Sequence, residues 1–230
     1  MYLIILIGSI VASLIAGQVL KSRFAKYAKI PLQTGLSGKE VAERMLRENN
    51  IHDVRVVSVP GRLTDHYNPM DRTVNLSPEV YEGRSISSAA VAAHECGHAV
   101  QHAQGYAWLK FRSAMVPVQQ MSGTIINFVF IGMFFLGNVI FNAIPLDIVM
   151  LTIVACYAVF FLFSLVTLPV EFDASNRALV WLKTSRVATV EEKDQAYDAL
   201  KWAATTYVVA ALSALAMLLY WVMQYLGSRD

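Results

Sequence analysis

The segment His94-Glu95-Cys96-Gly97-His98 carries the residue types best suited to chemistry in this chain. Two histidines four residues apart lie on one face of a helix, one turn apart, and can bind the same metal ion. Neutral imidazole is a good zinc ligand, and zinc lowers the pKa of a bound water to about 7. Glu95 could take the proton of that water as general base. The segment therefore predicts a zinc-dependent hydrolase; the alternative is two surface histidines beside a salt-bridged glutamate.

A catalytic zinc site needs a third protein ligand and an open fourth position. His102 lies eight residues after His94, about 12 Å further along an unbroken helix, so it cannot join the same ion. Glu171 is the first acid after a long charge-free run, where a carboxylate near a membrane surface needs a partner. We therefore predict Glu171 as the third ligand and rank Asp173 second. The alternative for Glu171 is an interfacial salt bridge.

Three further residues could support the site without binding the metal. Asp173, Arg177 and His102 are candidates for holding a ligand or for stabilising an oxyanion. The alternatives are a surface role for His102 and a salt-bridged or phosphate-facing role for Arg177. Cys96 falls on the opposite helix face from the histidines and is expected to be a buried thiol, while Gly97 is expected to permit close packing.

A short strand is predicted just ahead of the motif helix. It comprises Thr73, Val74, Asn75 and Leu76. An exposed edge there could pair with an extended peptide and lay its carbonyl beside the metal. The alternative is an ordinary internal strand.

Local signals place the other elements around the motif. Residues 37–40 have the spacing of a capping box that opens a helix, and residues 189–192 form a second box ahead of the last apolar run. The valine-rich stretch 53–59 predicts a strand, and 66–71 predicts a turn. An alanine-rich helix over about 87–103 carries the motif.

Charge-free runs account for the unusual composition. Apolar residues make up 56% of the chain. Charged residues make up only 16%, whereas about a quarter of the residues in a soluble domain are charged. A helix needs about 20 apolar residues to cross a bilayer. The runs Met1–Leu20, Ser113–Leu146, Ile148–Val170 and Trp202–Ser228 each supply one crossing. A soluble bundle of buried helices is the alternative.

The predicted fold class is mainly α and integral to the membrane. It has four transmembrane helices plus a small α+β zinc-dependent catalytic segment, with a short sheet near the zinc-binding helix. The predicted divisions are transmembrane helix 1 at 1–20, a cytoplasmic catalytic segment at 21–112, transmembrane helices 2 and 3 at 113–170, a cytoplasmic segment with the third ligand at 171–201, and transmembrane helix 4 with a tail at 202–230.

The basic residues predict the orientation. Of 19 lysines and arginines, 13 lie between Lys21 and Arg112, five lie between Arg177 and Lys201, and Arg229 alone lies on the other side. The positive-inside rule then places both polar segments in the cytoplasm and both termini outside. The formal net charge of +2 gives no reason to expect nucleic acid as a partner.

Four segments together resemble a known family. They are His66–Pro69, Asn75–Tyr81, Ala92–Ala99 and Pro169–Ser175. In these segments, and over nearly the whole chain, the sequence is similar to the YugP-like neutral zinc metallopeptidases. The resemblance implies a membrane protein with zinc-dependent peptidase chemistry, and it implies little about the substrate.

A more distant resemblance is to the HtpX-type membrane metallopeptidases. It implies His94 and His98 as ligands, Glu95 as catalytic base, Glu171 as third ligand, and a cytoplasmic active site. That group usually has an aspartate four residues after the ligand glutamate. This chain has Ser175 there, so support for the ligands is expected to pass to Asp173 or to be absent.

The predicted function is that of a membrane-bound zinc metalloendopeptidase. It would lie in the inner membrane and hold one Zn²⁺ per chain. Its expected partners are the lipid bilayer and a polypeptide substrate, which includes membrane proteins. The alternative is a metal-binding membrane scaffold or sensor without peptidase activity. Glu95 argues against that alternative, because metal binding alone does not need a base. A transporter or channel would need ionisable residues within its spans, and almost none are present, since Asp147 lies at the end of a span.

Overall fold

A computed structural model describes residues 1–228, without the side chains of 136–143. Arg229, which enters the orientation argument, therefore lies outside the described residues. The described chain forms these elements in order: α1 Tyr2–Tyr27, α2 Gly38–Glu48, β1 Arg55–Ser58, β2 His66–Asn68, β3 Thr73–Leu76, α3 Pro78–Tyr81, α4 Ile86–Ala103, α5 Ala107–Ala143, α6 Leu146–Thr184 and α7 Val190–Gly227. The predicted class, mainly helical with a small sheet, is confirmed.

Four of these helices, α1, α5, α6 and α7, are long and apolar enough to cross a membrane. Large apolar side chains point outward from them; for example, Phe128 and Phe134 of α5 are 71% and 82% exposed. Such exposure is costly in water and is expected for a helix surrounded by lipid. The prediction of four apolar helices of spanning length is therefore confirmed.

Helix α6 is much longer than a bilayer crossing requires. Its 39 residues extend about 58 Å, roughly twice the thickness of a hydrocarbon core. It continues through Pro169, which cannot donate a backbone hydrogen bond, and on to Thr184. Glu171 and the charge-free run before it therefore lie on one helix.

The chain packs as two compact units. One contains residues 1–14, 111–168 and the chain from Tyr207 onward; the other contains residues 15–110 and 169–206, and we call it the polar unit. In the polar unit, Val41 and Met45 of α2 are buried in one core with Ala89 and Ala93 of α4. Small side chains on α4 let its neighbours approach its backbone closely.

Both predicted capping boxes are present. The side chain of Ser37 accepts from the N–H of Glu40, and the carboxylate of Glu40 accepts from the N–H of Ser37. Thr189 and Glu192 exchange the same two bonds at the start of α7, at 3.2 and 2.8 Å. Each box satisfies N–H groups that would otherwise lack partners at a helix N-terminus, which explains why α2 and α7 begin where they do.

The three strands form a sheet of order β1-β3-β2. Strand β3 pairs in parallel with β1 and antiparallel with β2, and its four residues are all buried. The prediction that Thr73–Leu76 offers an exposed edge to a peptide is therefore wrong, and the alternative of an internal strand holds.

That error comes from the segment predicted as a turn. His66–Asn68 forms β2 and covers the edge of β3. The reversal follows it, where the side-chain oxygen of Asn68 accepts from the N–H of Met70 at 2.9 Å. Asparagine commonly makes this side-chain turn, so the change of direction begins two residues later than expected.

Candidate metal centre

Helix α4 directs two imidazole rings toward one carboxylate of α6. The rings of His94 and His98 lie edge to face with their centroids 4.8 Å apart. Nε2 of His94 is 3.3 Å from Oε2 of Glu171, and Nε2 of His98 is 3.6 Å from the same atom. Glu171 is only 2% exposed. Burying a carboxylate is costly without a compensating positive charge, so this arrangement favours a bound cation.

The spacing of these atoms fits a zinc ion. Tetrahedral zinc with bonds of about 2.0–2.1 Å holds its ligand atoms about 3.3 Å apart. The separations of 3.3 and 3.6 Å match that value, and all three ligand atoms lie within 4.8 Å of one another. Two imidazoles and a carboxylate are also a usual donor set for catalytic zinc. His94, His98 and Glu171 could therefore hold such an ion together.

A glycine lets the two helices come close enough for this. A Cβ atom placed on Gly97 would lie 2.6 Å from the carbonyl oxygen of Ala174, closer than real Cβ atoms approach backbone. Helix α4 thus packs its backbone directly on α6 between the two histidines. This close approach, expected for Gly97, brings Glu171 within reach of both rings.

The other ring nitrogen of each histidine also has a partner. Nδ1 of His98 lies 3.0 Å from Oε1 of Gln101, and Nδ1 of His94 lies 3.1 Å from the hydroxyl of Ser175. Such contacts fix the orientation of a ligating ring. Ser175 therefore contacts His94 at the position where a loss of support was expected.

Asp173 contacts neither imidazole ring in the described structure. Its carboxylate accepts hydrogen bonds from Nε2 of Gln101, at 2.8 Å, and from Nε of Arg177. Arg177 also donates to the side-chain oxygen of Gln104 at 2.6 Å. Arg177 is thus salt-bridged, the alternative considered from the sequence, and Asp173 is connected to the metal centre through Gln101.

Two opposing effects act on the pKa of His98. Burial lowers it, because the charged imidazolium is poorly solvated. Hydrogen bonding to Glu171 and the negative charges of Glu171 and Glu95 raise it, and the outcome is a pKa above the usual value. The negative charges of Glu171 and Glu95 therefore favour a cation beside the ring of His98.

Glu95 lies beside the histidines but points to the sheet. Its Oε2 accepts a hydrogen bond from the backbone N–H of Tyr67 in β2 at 3.0 Å, and the residue is 8% exposed. The hydroxyl of Tyr67 lies 2.7 Å from Nδ1 of His102. Strand β2 is therefore tied to α4 at two places, and His102 contributes to that connection rather than to the metal cluster.

Cys96 lies on the opposite face of α4, as expected. It is fully buried, and its Sγ is 3.6 Å from the carbonyl oxygen of Ala42 in α2. Burial raises the pKa of the thiol well above its usual value. A buried neutral thiol packs as a small apolar side chain, so Cys96 belongs to the core of the polar unit.

Comparisons with known proteins agree with this geometry. A family described as "Putative neutral zinc metallopeptidase" matches residues 2–226. The chain belongs to this family. It is also 43% identical over 210 residues to a Bacillus subtilis (strain 168) protein named "Putative membrane protease YugP", covering 91% of this chain and 90% of that protein. No solved structure gives a significant match.

Membership of this zinc metallopeptidase family confirms the resemblance drawn from the motifs. The name of the relative and the four apolar helices both indicate a membrane protein. The contacts of three residues of the site, Gln101, Tyr67 and Ser175, were missed from the sequence. Gln101 follows His98 by three residues on the same helix, a spacing that could have suggested contact, whereas the contact of Tyr67 depends on the tertiary fold.

Proposed function

We propose that the chain is a membrane-bound zinc metalloendopeptidase. It holds one zinc ion per chain through His94, His98 and Glu171. The observation that carries the proposal is the convergence of two imidazole nitrogens on one buried carboxylate, at 3.3 and 3.6 Å, with all three ligand atoms within 4.8 Å of one another. The family to which the chain belongs supports the same chemistry.

When bound, zinc supplies a Lewis acid that lowers the pKa of water and polarises a peptide carbonyl. Glu95 takes the proton of the attacking water as a new C–O bond forms at the carbonyl carbon. It then delivers this proton to the amine nitrogen as the C–N bond breaks. The N–H of Tyr67 orients the carboxylate of Glu95 for these transfers.

Strand β2 is the part of the sheet best placed to bind a polypeptide substrate beside Glu95. It is an edge strand of the sheet, and the N–H of its central residue, Tyr67, points away from β3 toward Glu95. Extended peptides commonly bind by adding a strand to such an edge; here Tyr67 can offer its carbonyl oxygen to such a strand, because its N–H already donates to Glu95. A substrate paired with β2 would run beside the catalytic carboxylate.

The location of the site follows from the sequence. The distribution of lysine and arginine favours the polar unit in the cytoplasm and both termini outside the inner membrane. Glu171 lies on the same helix as a candidate span. Polypeptides in or next to the membrane are therefore the expected substrates, and equal cleavage of soluble and membrane substrates would count against this choice.

The decisive experiment compares wild type with Glu95→Gln after purification in detergent. Cleavage of an unfolded protein and bound zinc are both measured. We expect wild type to cleave, and Glu95→Gln to keep its zinc and lose cleavage by at least about 100-fold, because the base is removed and the ligands remain. If both proteins bind zinc and neither cleaves, the metal-binding scaffold becomes the better description.

A second pair of variants tests the third ligand. Glu171→Gln should lose bound zinc, whereas Asp173→Asn should retain most of it, because Asp173 touches neither histidine. The opposite result would make Asp173 the ligand and would remove Glu171 from the site.

A further inference from the structure

The side chain of Gln101 lies between α4 and α6 and is completely buried. A buried amide carries two N–H donors and an accepting oxygen, and each is costly to leave without a partner. Gln101 satisfies both ends, and all of its partners belong to the metal centre or its immediate support. The placement therefore favours a role beyond filling space.

The orientation of this amide is determined by its surroundings. Its Nε2 lies 2.8 Å from the carbonyl oxygen of Val170 and 2.8 Å from a carboxylate oxygen of Asp173. Both atoms can only accept, so the amide nitrogen must face them. The amide oxygen is then left facing Nδ1 of His98, at 3.0 Å.

An accepting oxygen at that position selects one form of the ring. Nδ1 of His98 must carry a hydrogen to donate to Gln101, and in a neutral imidazole the lone pair then lies on Nε2. Nε2 is the atom that faces Glu171. Ser175 makes no such selection at His94, because a hydroxyl can either donate or accept.

We propose that Gln101 is a positioning residue that holds His98 in its metal-binding tautomer and fastens α4 to the part of α6 that carries Glu171. It joins the ring of His98 to residues about 70 positions later in the chain, and so assembles ligands from two helices before the metal arrives. The inference rests on the metal site of the proposed function and is independent of peptide cleavage.

The test measures zinc affinity by competition with a chromogenic chelator, on protein purified in detergent and stripped of metal. Gln101→Met keeps the length of the side chain and removes every hydrogen bond. We expect it to bind zinc about 10- to 100-fold more weakly than wild type, the usual effect of losing a partner of a ligating histidine. The matched control is Gln195→Met in α7, where the buried side-chain oxygen accepts no hydrogen bond from the described residues. This control should change zinc affinity by less than about twofold.

A rescue experiment separates positioning from packing. Gln101→Glu keeps an oxygen for His98 but sets a second oxygen against the acceptors of Val170 and Asp173, so zinc affinity should fall. Adding Asp173→Asn supplies an amide that can donate to the new carboxylate. The double variant should regain at least about half of the lost affinity on a logarithmic scale.

Three outcomes would overturn the inference. If Gln101→Met binds zinc as tightly as Gln195→Met, whatever its thermal stability, Gln101 only fills space. If Gln101→Met does not fold, the comparison passes to Gln101→Glu and the double variant with Asp173→Asn. Equal zinc affinity of these two proteins would likewise show that Gln101 only fills space. A wild type that binds no zinc overturns both the inference and the metal site. A wild type that binds zinc without cleaving peptides removes only the peptidase function, and the zinc comparison still decides the role of Gln101.

Discussion

Gly97 of α4 rests against the carbonyl group of Ala174 in α6, so closely that a methyl group on Gly97 would lie 2.6 Å from that oxygen. Gly97 lies between the two histidines in the sequence, and Ala174 follows Glu171 by three residues. This contact sets the distance between the helices that supply the predicted ligands. The metal centre therefore depends on an absent side chain as much as on those present.

Gly97→Ala should consequently harm both folding and metal binding. The added methyl group meets backbone, which cannot rotate away, so overpacking should cost about 1–3 kcal/mol of stability. Moving α6 outward should also reduce zinc affinity, because Glu171 recedes from both rings. Thermal unfolding and chelator competition measure the two effects.

The control for this substitution is Gly123→Ala in α5, where no described atom outside the adjacent backbone of the same helix lies within 4 Å of the new methyl group. It should be neutral or slightly stabilising, since alanine favours a helix more than glycine does. Normal stability and zinc content in Gly97→Ala would show that the two helices can separate without harm to the site.

Ser175 gives a second prediction, because its hydroxyl is the partner of Nδ1 of His94, a predicted zinc ligand. Ser175→Ala should weaken zinc binding by about 10-fold, since the ring of His94 loses its partner. Ser175→Asp should bind zinc at least as tightly as wild type, because a carboxylate makes the ring a stronger donor. Weaker binding by Ser175→Asp than by Ser175→Ala would show that the site has no room for the longer, charged side chain.

Much of this site could be predicted because it depends on local sequence. The spacing of His94 and His98 fixes their common face on any α-helix, and the capping box at Ser37 needs only neighbouring residues. Glu171 was also singled out from the sequence, since a carboxylate just beyond an apolar run needs a partner.

The remaining features depend on packing between distant segments. Gln101 was not singled out from the sequence, because its partners in α6 lie about 70 residues away. Strand β2 was missed because three residues carry little periodicity, and its pairing depends on a reversal begun by the side chain of Asn68. The sequence also could not show that β2 is an edge strand, because this follows from the strand order β1-β3-β2.

The capping box of α2 predicts a dependence of stability on pH. Hydrogen bonds from the backbone and side chain of Ser37, together with Arg84, hold the pKa of Glu40 below its usual value of 4.5. A carboxyl group whose pKa is lowered by folding stabilises the fold above its usual pKa, and that contribution is lost as pH falls through the folded value. The melting temperature of wild type should therefore fall more steeply below about pH 4.5 than that of Glu40→Gln.

Lys39→Met is the control for this comparison. It alters the neighbouring residue of the same helix but removes no group that titrates at acidic pH, so its melting curve should parallel that of wild type. Parallel curves for wild type and Glu40→Gln would mean that the box contributes nothing that depends on the charge of Glu40.

The final prediction concerns the side of the membrane on which the polar unit lies. Arg62 belongs to that unit, and its side chain is 79% exposed, whereas Ser228 follows the last apolar helix and is also exposed. If the positive-inside rule holds, Arg62→Cys should react with a membrane-impermeant maleimide only after cells are permeabilised. Ser228→Cys should react in intact cells. The natural cysteines, Cys96 and Cys156, are both buried and should give little background.

Reversed labelling would place the polar unit and its metal centre outside the cytoplasm. The zinc chemistry would be unaffected, because it depends on contacts within the polar unit, but the expected substrates would change to polypeptides on the outer face. Labelling of both positions in intact cells would mean that the chain crosses the membrane an even number of times between residues 62 and 228, and not the three times predicted for α5, α6 and α7. Zinc content measured on the same two variants shows whether each is folded, and so connects either result to a protein with an intact site.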